Sequence, residues 1–182
     1  MKAVLISIQP KWCELIARGK KTVEVRKTKP KIETPFKCYI YESKGTKKYF
    51  SQPSPIPYYE GKGKVIGEFV CDTIDEYTNY SLDEQRGHIK RREDLLRSAC
   101  MTLKDWRDYI GSYGSDWGCA WHISNLIIYD KPKELSDFTH ACPDNVKACK
   151  MCRHTIDGMK CKPITRPPQS WCYVEEMGSA DV

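Results

Sequence analysis

Hydrophobic and polar positions follow first a strand pattern and then a helical one at the start of the chain. The apolar run Val4 to Ile8 predicts a short buried strand. Pro10 suits the first turn of a helix, whose apolar positions recur at helical spacing up to Gly19. We expect Gly19 to end this helix in the left-handed conformation, so that a second strand begins near Lys21. The predicted order is strand, helix, strand.

Similar patterns predict three elements further along the chain. Lys64 to Val70 and Trp117 to Ile128 have apolar strand patterns. Thr102 to Ile110 places its apolar side chains on one helical face, with Thr102 or its neighbour as N-cap. Together these elements predict an α+β fold.

Charged side chains occupy one side of the second predicted strand. Because side chains alternate along a strand, Glu24 and Arg26 share one side and two valines share the other. Lys21, where the strand begins, can converge with them. Such a group can bind phosphate through its cations, or transfer a proton between a carboxylate and an amine. The simpler alternative is a solvated strand face with a favourable ion pair.

These residues resemble the signature of a known family. Gly19, Lys21, Glu24 and Arg26 match all four places of the Gly-x-Lys-x-x-Glu-x-Arg signature of ASCH domains, a branch of the PUA-like superfamily. The resemblance extends over residues 1 to 138. It implies a small mixed PUA-like β-barrel with flanking helices and a cleft beside the signature. The superfamily is largely concerned with RNA and modified nucleosides.

The resemblance implies an RNA- or nucleotide-binding protein. Lys21 and Arg26 would hold a phosphate or a base edge, and Glu24 would accept a hydrogen bond from an exocyclic amine. Glu68, in the predicted central strand, and His122, in the last one, are further candidate ligand-binding residues. His122 can equally be a structural histidine between two apolar neighbours.

An enzyme is the alternative interpretation of the same residues. A hydrolase acting on a modified nucleoside, or a ribonuclease, would use Lys21 as acid, base or nucleophile and Glu24 to move the proton. Related amidohydrolases keep a lysine at this place. They use a threonine in place of Glu24, however, and an additional acid where this chain has Ala99. The catalytic pattern is therefore broken, and the sequence leaves catalysis open.

Composition agrees with a small cytoplasmic protein that binds an acidic partner. The chain has 182 residues, 40% of them hydrophobic, and a formal net charge of +6. No apolar run approaches the roughly 20 residues that span a bilayer, so we expect no membrane association. We predict an ASCH domain at residues 1–138 and a Cys-rich tail at residues 139–182. The modest positive charge permits nucleic-acid binding without requiring it.

The tail has the composition of a metal-binding segment. It holds five of the ten cysteines and few apolar residues, so a hydrophobic core cannot order it by itself. A Cys-x-x-Cys pair can direct two thiolates at one ion. We predict a structural Zn²⁺ site that folds the tail. Its ligands are Cys142, Cys149, Cys152 and Cys161, with Cys172 as a substitute.

The tail also offers a route to a protein partner. His140 and His154 are further possible metal ligands, and Trp171 and Tyr173 could hold the end of the tail on the domain. Some phage-borne ASCH proteins have a similar Cys-rich tail. A third interpretation is therefore an adaptor that joins RNA to a protein through residues 139–182.

Overall fold

The computed structural model describes residues 1–45, 60–78, 89–111, 117–141 and 162–177. Its elements in chain order are strand β1 (Lys2–Ile8), helix α1 (Pro10–Ala17), strands β2 (Val23–Arg26), β3 (Phe36–Glu42) and β4 (Val65–Thr78), helices α2 (Ile89–Ser98) and α3 (Leu103–Ile110), strand β5 (Trp117–Lys133), a 3-10 helix (Leu135–Asp137) and strand β6 (Trp171–Glu175). The predicted α+β class is confirmed. None of the described helices is long and apolar enough to cross a membrane.

The six strands form one sheet in the order β2-β5-β4-β3-β1-β6. A closed barrel would give every strand two neighbours. Here β2 and β6 stand at the two ends of the order, so the sheet is open over the described residues. The predicted mixed sheet is present, but over the described residues it is not closed into the expected β-barrel. Strand β6, from the predicted tail, takes the free edge of β1 and pairs with it antiparallel, Leu5 opposite Cys172.

One compact unit contains residues Met1–Cys13, Lys37–Glu68 and Ile127–Val182, and we call it unit 1. Within it β1 pairs in parallel with β3, Val4 opposite Cys38. Strand β1 is buried on both faces, as is usual for parallel strands. Its core is mainly aromatic and aliphatic. The buried members are Ala3, Leu5, Tyr39, Tyr41, Val65, Phe138, Ile164 and Val174.

The attachment of the end of the tail to the domain is confirmed as the β1–β6 pairing. Trp171 lies opposite Ile6 and Tyr173 opposite Val4. The predicted division between residues 138 and 139 stays a prediction.

The other unit, unit 2, contains residues Glu14–Phe36 and Phe69–Leu126. Its core packs helices α2 and α3 against the apolar side of β2 and β5. The buried members are Val23, Val25, Leu95, Ala99, Trp106, Ile110 and Ala120. A Cβ at Gly118 would lie 2.7 Å from the Trp106 ring, so only glycine allows this close approach.

Two local predictions in unit 2 are confirmed by backbone geometry. Gly19 has φ +67 and follows α1 as its left-handed end. Thr102 caps α3 by a capping box, in which its hydroxyl accepts from the Asp105 amide at 3.1 Å. These turns fix where β2 and α3 begin.

Candidate functional site

Strand β2 carries two of the predicted site residues on one face of a two-strand ribbon. It pairs antiparallel with β5, Glu24 opposite Trp121 and Arg26 opposite Cys119. The alternate positions, Val23 and Val25, belong to the unit 2 core. The charged face of β2 and the apolar face are therefore distinct, as the alternation in the sequence predicts.

Lys21 joins this face from the turn before β2. The backbone amides of Lys20 and Lys21 donate to the carbonyl oxygen of Leu15, which closes the end of α1. The Lys21 side chain then donates from Nζ to the backbone carbonyl oxygen of Ala99 at 2.9 Å. Its Nζ also lies 3.3 Å from Oε2 of Glu24. The turn thus brings the ammonium to the carboxylate.

Arg26 completes the group from the opposite side of Glu24. Its Nη2 lies 3.0 Å from Oε1 of Glu24, so the carboxylate stands between two cationic groups. We call Lys21, Glu24 and Arg26 the charged trio. The structure brings these three predicted residues together.

The charged trio is buried. Lys21 is 2% exposed, Glu24 5% and Arg26 7%. The alternative of a solvated strand face was therefore wrong. Charges removed from water are retained only when they are paired and hydrogen-bonded. The pairs within the trio supply that compensation.

Oε2 of Glu24 forms an ion pair with Lys21 but accepts no hydrogen bond from the described part of the chain. The Lys21 ammonium, 3.3 Å away, compensates the charge of this buried oxygen. Oε2 can still accept a hydrogen bond from a ligand N–H group. The trio can therefore offer cationic donors and a carboxylate acceptor to one ligand.

Two contributors to this site are not apparent from the sequence. The Ala99 carbonyl oxygen holds Lys21, but a backbone acceptor leaves no trace in residue type. Trp121 lies opposite Glu24 and packs its ring edge-on to Phe36, with centroids 5.9 Å apart. The sequence indicated Trp121 only through its place in the same predicted strand as His122.

His122 does not join the charged trio. It lies opposite Val23, on the other face of the ribbon from Glu24 and Arg26. Its Nε2 is 2.9 Å from Oδ2 of Asp75. The structure therefore gives His122 a carboxylate partner of its own.

Glu68 belongs to a network in unit 1. Its Oε1 lies 3.0 Å from Nζ of Lys37, and its Oε2 accepts a 2.5 Å hydrogen bond from the Tyr129 hydroxyl. Burial, and then this hydrogen bond to Glu68, raise the pKa of Tyr129 far above its usual range. Glu68 is 5% exposed, so its carboxylate is compensated by these two neighbours.

The predicted zinc ligands Cys142, Cys149, Cys152 and Cys161 lie outside the described residues, as does His154. Within the described ranges no cluster of three or more His, Cys, Asp or Glu side chains could hold a metal. Cys172 is described, on β6, as a free thiol packed against the unit 1 core. Burial raises its pKa to about 11.

Comparisons with known proteins identify the fold. The ASCH domain family model matches residues 6–133. The crystal structure of ASCH from Zymomonas mobilis is similar with a TM-score of 0.54 and 20% identity, over 96% of this chain and 88% of that one. A single-residue mutant of the Zymomonas mobilis protein gives a TM-score of 0.56 at 20% identity, over 97% and 92%. No curated protein has a significantly similar sequence. The chain belongs to the ASCH domain family.

Proposed function

We propose that this protein binds RNA or a nucleotide through the charged trio. The observation that carries the proposal is the convergence of Lys21 and Arg26 on Glu24, at 3.3 and 3.0 Å, in a nearly buried setting. Membership of the ASCH family, a PUA-like family often linked to RNA binding, agrees with it. The net charge of +6 favours the same kind of partner.

Each member of the trio has a chemical role in this proposal. The planar guanidinium of Arg26 matches two oxygens of a phosphate, while the Lys21 ammonium acts as a point charge. Oε2 of Glu24 accepts a hydrogen bond from an exocyclic amine or a ring N–H of the base. Low exposure strengthens all three interactions, because electrostatic attraction increases where water is excluded.

A matched pair of variants tests this function. Arg26→Ala removes the guanidinium from the trio, whereas Arg18→Ala removes an exposed guanidinium that pairs with Glu14 on α1. Fluorescence anisotropy with short labelled RNAs should show binding about 10- to 100-fold weaker for Arg26→Ala, the value of a charged hydrogen bond. Arg18→Ala should bind like the wild type. Equal affinity of Arg26→Ala and wild type, with both folded, would exclude the trio as the site.

A hydrolase is the second candidate, and one distance favours it. Nζ of Lys21 and Oε2 of Glu24 are 3.3 Å apart, close to the range in which a proton can pass between them. The candidate substrates are a modified nucleoside or RNA. Chromatography of each ligand after incubation tests it. A product that forms with wild type and disappears with Lys21→Ala would favour this candidate, and unchanged ligands would favour binding alone.

The Cys-rich tail carries a separate proposal. We infer that Cys142, Cys149, Cys152 and Cys161 bind a structural Zn²⁺, because a Cys-x-x-Cys pair with two further thiols supplies a tetrahedral set. The ordered tail could then present a surface to a protein partner. Truncation after residue 138 would also remove β6 and the core residues Ile164 and Val174, so the test uses the full-length chain. Loss of that partner from a folded Cys152→Ser variant, with the partner retained by Cys100→Ser, would support the adaptor function.

A further inference from the structure

The face of the ribbon that bears the charged trio continues to an aromatic residue. Side chains two positions apart on a strand share a face, so Trp117 follows Trp121 and Cys119 along the same side of β5. Arg26 lies opposite Cys119. Trp117 stands roughly 7 Å further along the strand from Cys119. A ligand that contacts Arg26 is therefore within about one nucleotide of Trp117.

Exposure to solvent increases along this face. Trp121 is 0% exposed, Cys119 1% and Arg26 7%, whereas Trp117 is 50% exposed. Among these four residues, Trp117 alone is substantially exposed to solvent. Of these residues, Trp117 is therefore the one that a ligand in solution can contact directly.

The indole of Trp117 keeps half of its surface open to solvent. An exposed aromatic ring at this position suits base stacking, since every base has a π-face.

Positive charge surrounds the same end of the ribbon. Residues 26–33 hold four basic side chains and one acidic. The Lys29 side chain is 51% exposed and ion-pairs with Glu76. The Lys27 ammonium lies 5.6 Å from the centroid of the Tyr109 ring. This charge is complementary to a phosphate backbone.

We propose that Trp117 stacks a base of single-stranded RNA whose neighbouring nucleotide occupies the charged trio. The ligand would then be an oligonucleotide rather than a mononucleotide. A duplex would not serve, because its bases are already stacked within the helix. This inference rests on the proposed function and extends it to a second contact.

Two probes and three variants test the inference. The probes are a single-stranded octauridylate and uridine monophosphate. The variants are Trp117→Ala, Trp117→Phe and, as control, Ile127→Ala, which truncates another exposed apolar side chain that is 47% exposed in unit 1. Trp117→Ala should weaken octauridylate binding about 5- to 150-fold and leave uridine monophosphate unchanged. Trp117→Phe should retain most of the affinity for octauridylate. Ile127→Ala should bind both probes like the wild type.

The outcomes separate the inference from the proposed function. If Arg26→Ala weakens both probes but Trp117→Ala weakens neither, the trio binds and the stacking contact is wrong. Equal losses for Trp117→Ala and Ile127→Ala would also overturn the contact, as would tighter binding of duplex RNA than of octauridylate. Failure of the wild type to bind either probe would overturn the proposed function and this inference together.

Discussion

Nζ of Lys21 donates a hydrogen bond to the backbone carbonyl oxygen of Ala99 over 2.9 Å, across 78 positions of the chain. The same contact fixes the start of β2 against the end of α2, where the Thr22 amide also donates to the Ser98 carbonyl oxygen. The hydrogen bond to Ala99 directs the Lys21 ammonium towards Glu24. The Lys21 side chain therefore links the candidate site to the end of α2.

Lys21→Met should destabilise the protein. It removes the donor to Ala99 and one cation from buried Glu24, and breaking a buried ion pair costs about 3–5 kcal/mol. Urea unfolding measures the change. Lys20→Met is the matched control, since the neighbouring lysine is exposed and should change stability by less than about 0.5 kcal/mol. Equal free energies of unfolding for the two variants would mean that the buried contacts of Lys21 do not contribute to stability.

The salt dependence of RNA binding should show whether the cations of the charged trio contact phosphate groups. For single strands, log K falls with log salt concentration by about 0.7 for each phosphate contact. Arg26→Ala should therefore reduce the magnitude of the slope by about 0.7, and Arg18→Ala should leave it unchanged. Titrations at several salt concentrations measure both slopes. Parallel lines for wild type and Arg26→Ala would show that Arg26 makes no phosphate contact.

Zinc should be present at roughly one ion per chain, with tight binding as in structural sites. Elemental analysis of the purified protein measures it. Cys152→Ser should lose the metal, while Cys100→Ser, in unit 2, should keep it. Chelation should remove the order of the tail, seen as faster proteolysis after residue 141. Metal-free protein whose tail resists proteolysis would contradict the prediction.

Stability should fall at alkaline pH partly through Cys71. Burial raises the pKa of this thiol from 9.0 to about 12. Between these values the unfolded chain releases the proton and the folded one keeps it, so stability falls with rising pH, by at most roughly 1.4 kcal/mol per pH unit. Below pH 9 the contribution is fully present.

Cys71→Ala should therefore flatten the stability profile between pH 9 and 12 relative to Cys100→Ala. Denaturant unfolding across this range measures both profiles. Identical slopes for the two variants would show that the Cys71 thiol does not titrate differently in the folded state.

Local patterns in the sequence were sufficient to predict the elements that position the charged trio. Gly19 has the left-handed conformation, which glycine adopts without strain because it has no side chain. Thr102 forms a capping box at the start of α3. The alternation of charged and apolar residues in β2 correctly separated Glu24 and Arg26 from the core. Each of these features depends on neighbours within a few residues.

Features that depend on distant partners were not predictable in the same way. The Ala99 carbonyl and the burial of the trio arise from packing between β2 and the end of α2. The strand order, in which β6 rather than β2 pairs with β1 and the sheet is open over the described residues, depends on pairings between distant parts of the chain. His122 lies on the other face because its register places it opposite Val23, and a register is set by the partner strand.

The most direct test of ligand binding at the charged trio is an NMR titration of the wild-type protein. The ligands are nucleosides, modified nucleosides and short single-stranded RNAs, and each is also checked for chemical change. We predict saturable shifts centred on the amides of Lys21, Glu24 and Arg26, with the ligand unaltered. Saturable shifts that leave these three residues unaffected, or no shifts with any ligand, would contradict the account.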